Sequence, residues 1–259
     1  MTRIGLIQMQ CEKGALPQNL ETIAHYLDEA EARGVEFVGF PEMSLTGYAD
    51  PAQYPEAVIS LDGPEIDRLL RLTRRCTATV LVGLIEANPV GKPFITHAAI
   101  RRGVLLGHYR KVTIQDEEAD WFSAGQTVPV FQSLGVTFGI SICADIGNED
   151  VFAACARQGA QIVFELAAPG LYGEQATRNW QSGYAWWEGE CQKHLSRYSR
   201  EYGLWISVAT QAGRTSDEDF PGGGYLFSPT GERVYATVDY QPGAVYLDVD
   251  FTTRQVVEL

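Results

Sequence analysis

Apolar residues in this chain fall into short blocks, set apart by segments of helical spacing or by glycine-containing turns. RIGLIQMQ (3–10) reads as a buried strand. In PQNLETIAHYLDEAEARG (17–34), Leu20, Ile23, Ala24, Leu27 and Ala30 recur at the 3.6-residue period, and Gly34 is a credible stop. VEFVGF (35–40) is a second strand. A helix between two buried strands predicts a βαβ crossover, and so parallel strands with a helix on one face.

The same reading continues down the chain. GPEIDRLLRLTRRC predicts a helix and TVLVGLIE (79–86) a strand. HAAIRRGVLLGHYRK has two apolar runs around Arg102-Gly103, and PVFQSLGVTFGISI has two around Leu134-Gly135; both patterns predict hairpins. EDVFAACARQGA predicts a short helix, QIVFELAA a strand, 173–201 a stretch ending in a helix, and LWISVAT a strand. GGGYLFSPTGERVYATV predicts a hairpin turning at Ser228-Pro229-Thr230-Gly231, and AVYLDVD a final strand. Ten or more strands exceed a comfortable open sheet. Two packed sheets with helices outside, in one α/β unit over 1–259, resolve the excess. No repeat, long linker or low-complexity tract divides the chain.

Four stretches carry candidate chemistry. FPEMSLTGY (40–48) puts Glu42 just past a buried parallel strand, where α/β proteins place their sites. Burial there raises a carboxyl pKa and suits it to act as a base; a surface turn cap is the bland alternative. HYRKVTI (108–114) puts Lys111 at the end of a hairpin strand, with Arg110 on the opposite face. A buried lysine stabilises a developing oxyanion, whereas a solvated pair does nothing. QDEEADWFSAG (115–125) is an acidic run against Trp121-Phe122, so one side of it is expected to be buried. GISICADIGNED (139–150) ends a strand on Cys143, ahead of a helix. Buried cysteines are mostly inert, but one facing a cation or a helix N-terminus is a nucleophile position.

In this order the four stretches resemble the nitrilase superfamily of carbon–nitrogen hydrolases. FPEMSLTGY resembles its first glutamate motif, YRK (109–111) its lysine motif, and Cys143 with Asp145 its cysteine motif. WISVATQAG and GGGYLFSPTGE resemble its later pattern. The resemblance spans essentially the whole chain. It implies a four-layer α-β-β-α sandwich and a catalytic set of Glu42, Lys111, Cys143 and a second glutamate. EADWFSAG fits Glu118 in that last role, with Glu117 as fallback. The resemblance further implies Ala144 as backbone oxyanion donor, hydrolysis of a small-molecule amide through a thioester, no cofactor and a homodimer or larger assembly. A nitrilase, a carbamoyl-amide hydrolase, an acyltransferase and a non-catalytic protein retaining the fold are the alternatives. Departures fall after Cys143, where Ala144 replaces a bulky aromatic and Gly147-Asn148-Glu149-Asp150 replaces an Arg-Phe-Pro-Glu run. They bear on which substrate binds.

Tyr48 and Trp121 flank two of the motifs and are the expected pocket walls. Glu165, after a strand, is expected either to meet a cationic substrate group or to cap the next turn. Trp180, Trp186 and Trp187 are either a substrate wall or helix packing. A Cys–His pair drawn from His25, His97, His108 or His194 is the rival chemistry, but the base role already has Glu42. Gly222-Gly223-Gly224 lacks the GK[S/T] of a phosphate loop. FTTRQVVEL, at the C-terminus, is either a subunit tie or a tail on its own domain.

Composition narrows this further. The net charge of −13 disfavours a nucleic-acid partner. Five scattered cysteines without CxxC spacing point away from zinc and from a disulfide framework, and towards a reducing cytoplasm. No apolar stretch approaches a membrane span, and no secretion signal is expected.

Overall fold

The computed structural model describes residues 1–116, 118–238 and 240–259. Glu117, the fallback for the second glutamate, lies outside the described residues.

The chain opens with β1 (Thr2–Gln8), α1 (Leu16–Ala32), β2 (Phe37–Gly39), β3 (Val58–Ile59), α2 (Pro64–Thr73), β4 (Thr79–Glu86), β5 (Phe94–Arg101) and β6 (Val104–Arg110). These strands, with β15 (Gly243–Val249) and β16 (Val256–Glu258) from the far end of the chain, form the first sheet. Its order is β16-β15-β1-β2-β4-β5-β6, with β3 on β4. The predicted crossover is present: β1, β2 and β4 run parallel, with α1 and α2 as the connections. The β5–β6 hairpin turns at Arg102 (φ 49°) and Gly103 (φ 76°), the left-handed pair that a two-residue turn requires.

α3 (Glu118–Trp121) is one short turn. β7 (Val130–Ser133), β8 (Val136–Ile142), α4 (Glu149–Arg157), β9 (Ile162–Ala167), α5 (Trp180–Tyr202) and β10 (Trp205–Thr210) follow. β11 (Ala212–Arg214) and β12 (Asp219–Pro221) form a small ribbon. β13 (Gly224–Phe227) and β14 (Arg233–Ala236) complete a second sheet of order β14-β13-β10-β9-β8-β7.

Side-chain alternation sorts the core into three slabs. Leu6, Phe37 and Leu81 of the first sheet meet Phe138, Ile140, Phe164 and Leu166 of the second. Val38, Val80 and Val82 face the helices instead, packing on Ile23, Leu27, Ile66 and Leu69. Val163, Ile206 and Val208 pack under Phe152 of α4 and Cys191 and Leu195 of α5. The layers therefore run α-β-β-α, as expected. The C-terminal segment pairs its own β16 antiparallel with β15, which makes it an edge strand of the first sheet.

Candidate active site

Three segments bring the polar cluster together at one end of the sheets. The first leaves β2 through Phe40 and Pro41 and lies directly across β4. The Leu45 N–H donates to the Gly83 carbonyl at 2.9 Å, and the Gly83 N–H donates to Ser44 Oγ at 3.0 Å. A Cβ at Gly83 would sit 2.3 Å from the Met43 nitrogen, so only glycine lets this segment lie so close. Glu42 is thereby fully buried, and its Oε2 accepts the Ala168 N–H at 3.2 Å.

The second segment leaves β6. Arg110 turns outward to Glu86, while Lys111 turns inward and is 1% exposed. Its ammonium donates to Glu42 Oε1 at 2.9 Å, and to Glu118 Oε1 and Oε2 at 2.7 and 2.9 Å. Glu118, at the start of α3, also accepts the Tyr48 hydroxyl at 2.8 Å. Two buried carboxylates thus share one ammonium, a placement that isolated charges would not tolerate.

The third segment is the end of β8. Cys143 has φ 45°, a strained left-handed conformation for a residue with a side chain, and opens a tight helical turn through Gly147. Asp145 holds that turn. Its buried carboxylate accepts the Ile142 N–H at 3.1 Å, the Tyr109 hydroxyl at 2.7 Å and the Thr113 N–H at 2.9 Å. The donors come from both sides of Lys111 and from the residue before Cys143, so one side chain fixes the two segments together. Sequence reasoning noted Asp145 only as part of a motif. Asn148, in the unusual tail, accepts the Asp150 N–H at 3.2 Å and caps α4.

Part of this cluster opens on one cavity of about 840 Å³, lined by Tyr48, Lys111, Glu118, Trp121, Cys143 and Ala144 among others. Trp186 and Trp187 line it too, so the tryptophans of α5 serve both readings. Trp187 also donates to Thr210 Oγ1 at 2.8 Å, and Trp180 stacks on Tyr240. Glu165 does not line the cavity, against expectation. Its strand neighbours Phe164 and Leu166 face the other sheet, so Glu165 faces the α5 side, fully buried. His97 is buried on the Phe40 carbonyl, His25 is on the surface beside Glu29, and His194 pairs with Glu190. None of these partnerships involves Cys143.

The charges are set by burial and by each other. Burial raises the Glu42 carboxyl to about 7, with the Glu118 charge adding to it and Lys111 and the Cys143 thiol opposing. Burial alone would lower Lys111, but Glu42, Cys143 and Glu118 outweigh it and hold the ammonium protonated. Burial and the Glu42 charge push the Cys143 thiol well up, and Lys111 offsets only part of this. The resting thiol is neutral, beside a carboxylate that titrates near neutrality. Such a pair suits proton transfer at the moment of attack.

Fold and site together define a four-layer α/β protein with a thiol, an ammonium and a carboxylate lining one cavity, and a second, fully buried carboxylate bonded to that ammonium. A family model described as "Carbon-nitrogen hydrolase" matches residues 3–258, and the chain belongs to that family. It is 26% identical to "Omega-amidase NIT2" of Homo sapiens, over 96% of this chain and 88% of that protein. It is 23% identical to "Glutamine-dependent NAD(+) synthetase" of Thermotoga maritima, over 99% of this chain but only 43% of that protein. The chain thus spans less than half the length of that relative. Among solved structures, the amidase from Nesterenkonia sp. AN1 superposes with a TM-score of 0.81 at 23% identity, over 97% of this chain and 91% of that one. That structure, of a Glu-to-Gln mutant of the Nesterenkonia amidase, shows covalent addition of the acetamide moiety of fluoroacetamide at its active-site cysteine.

Among the described residues, no helix is long and apolar enough to cross a membrane, and no group of His, Cys, Asp or Glu is arranged to hold a metal ion.

Proposed function

We propose that the protein is an amidase that hydrolyses a small-molecule amide through a thioester on Cys143. The observation that carries this reading is the Lys111 ammonium, shared between Glu42 and Glu118 at a cavity that also presents the Cys143 side chain.

Glu42 takes the Sγ proton as sulfur attacks the amide carbonyl carbon. The carbonyl oxygen becomes an oxyanion, met by Lys111 and the Ala144 N–H; losing one such donor costs about 10²–10³ in rate. Glu42 returns its proton to the nitrogen, the C–N bond breaks, and ammonia or an amine leaves. Water then attacks the thioester, giving a proton to Glu42, and the acid departs as sulfur regains its proton. Glu118, bonded to Tyr48 and Lys111, holds the ammonium in place through both half-reactions. Tyr48 and Trp121 form the near walls. We read residues 1–259 as one carbon–nitrogen hydrolase domain working as a homodimer in a reducing cytoplasm.

The test is fluoroacetamide labelling followed by intact mass. One adduct is expected at Cys143 and none in Cys143→Ala, which should fold and release no ammonia from amides. Ammonia release by Cys143→Ala would sink the mechanism. Carboxylate formed from a nitrile, with no turnover of the matching amide, would convert the assignment to a nitrilase.

A further inference from the structure

Ile95 and Ala99 of β5 lie in the core between the two sheets, and alternation puts His97 on the same face, fully buried. In register, His97 stands between Gly83 of β4 and Tyr109 of β6, so the three form one row across adjacent strands. Gly83 has no side chain, and the Glu42 segment lies directly over it. His97 comes next along the row, and its Nε2 is 3.1 Å from the Phe40 carbonyl oxygen. Tyr109, on the other side, donates to Asp145, which fixes the Cys143 turn. One row therefore touches the supports of both the base and the nucleophile.

The Glu42 segment has to be held on both sides of the carboxylate. Met43 has φ 50°, a strained conformation for a residue with a side chain, and such strain persists only where the surroundings impose it. Downstream, Ser44 and Leu45 bond to Gly83, and Thr46 Oγ1 accepts the Ile85 N–H at 3.2 Å. Upstream, the Phe40 N–H donates to the Leu81 carbonyl at 3.0 Å, and the Phe40 carbonyl meets His97. A carbonyl only accepts, so Nε2 carries the ring proton and Nδ1 does not. Burial pushes the His97 pKa down to about 4, with the Phe40 and Pro41 carbonyls opposing, so the ring is neutral and adds no charge beside Glu42. Nδ1 has no hydrogen-bond partner among the described residues, so the ring's polar contacts are with the Glu42 segment.

We propose that His97 is a positioning residue for the reaction: through the Phe40 carbonyl it holds the Glu42 carboxylate within reach of the Cys143 thiol. The proposal rests on the amidase reading for the role of Glu42, but it is measurable on the thiol itself. Fluoroacetamide labelling of Cys143 is followed at increasing reagent concentration, which separates the maximal rate from the apparent affinity for the reagent.

His97→Leu removes the donor. Its maximal labelling rate should fall about 10–10²-fold, the scale of an ångström-sized misplacement. Apparent affinity should change by less than about twofold, because the cavity walls are untouched. His97→Gln brings an amide N–H to the same carbonyl and should recover most of the rate. A full labelling rate in His97→Leu at a lowered melting temperature, an equal loss in His97→Gln, or a loss confined to affinity overturns the proposal. The unaltered protein supplies a second measurement, which stands even where His97→Leu does not fold. Nitrogen NMR of its histidines at neutral pH should show His97, the signal absent from His97→Gln, uncharged with its proton on Nε2. A proton on Nδ1 or a charged ring overturns the proposal. Ammonia release from amides by the unaltered protein is followed in parallel, and its absence with the labelling pattern intact refutes the amidase reading alone.

Discussion

A neutral thiol beside a carboxylate with a pKa near 7 makes a definite statement about pH. Glu42 must be ionised to accept the Cys143 proton, and burial is what holds its pKa up. Acylation should therefore rise with pH through about 7 and level off above it. A pre-formed thiolate would put that limb elsewhere, because it would follow sulfur rather than carboxyl. The profile of kcat/KM, or of fluoroacetamide labelling, reads the limb directly. Glu42→Gln should cost about 10²–10⁴ in acylation and remove the limb near 7. A variant that keeps the limb would mean another group titrates there.

At this scale Glu42, Lys111 and Cys143 were legible because each stands just past a strand and the three occur in a recognisable order. Asp145 was not ranked, because its importance lies in three donors from different segments, and no local pattern reveals them. Glu165 was misplaced because it was taken to follow a strand, whereas it lies inside β9. With Phe164 and Leu166 facing the other sheet, alternation sends it to the helix side.

Elements were read well where period or turn chemistry was strong. TVLVGLIE is β4 residue for residue, and both glycine-marked hairpins turn where their dipeptides predicted. β3, β11, β12 and β16 were not foreseen. Each has two or three residues, too few to show alternation, and each exists because a longer neighbour offers it an edge or a loop returns beside it. The crossing of the Glu42 segment over β4 was equally hidden, since Gly83 looks like any strand glycine. Gly83→Ala tests that crossing. The added methyl would press on the Met43 nitrogen, at an overpacking cost of about 1–3 kcal/mol. Melting should fall by several degrees, and turnover of the folded fraction should fall more steeply, because the displaced backbone carries Glu42. Full activity at a lowered melting temperature would show that the crossing supports stability alone.

For the whole molecule, the acid that missed the cavity matters most. Glu165 is fully buried between the second sheet and α5, with the Ser141 hydroxyl of the neighbouring strand beside it and no cation bonded to it among the described residues. Burial pushes its pKa well above the ordinary 4.5. The folded protein therefore binds a proton here that the unfolded chain has released. Stability must fall as pH rises from about 4.5 towards the folded-state pKa, because the unfolded chain then binds fewer protons. Glu165→Gln keeps the shape and removes that titration. Relative to the unaltered protein, the variant should gain stability as pH is raised from 5 to 8, whatever its standing at pH 5. For a domain this large, each kcal/mol reads as roughly 2–4 °C in melting temperature. Melting curves of both proteins across that range decide the matter. A constant offset between them would mean that Glu165 keeps the same charge in both states, and that this acid has water or a partner near it.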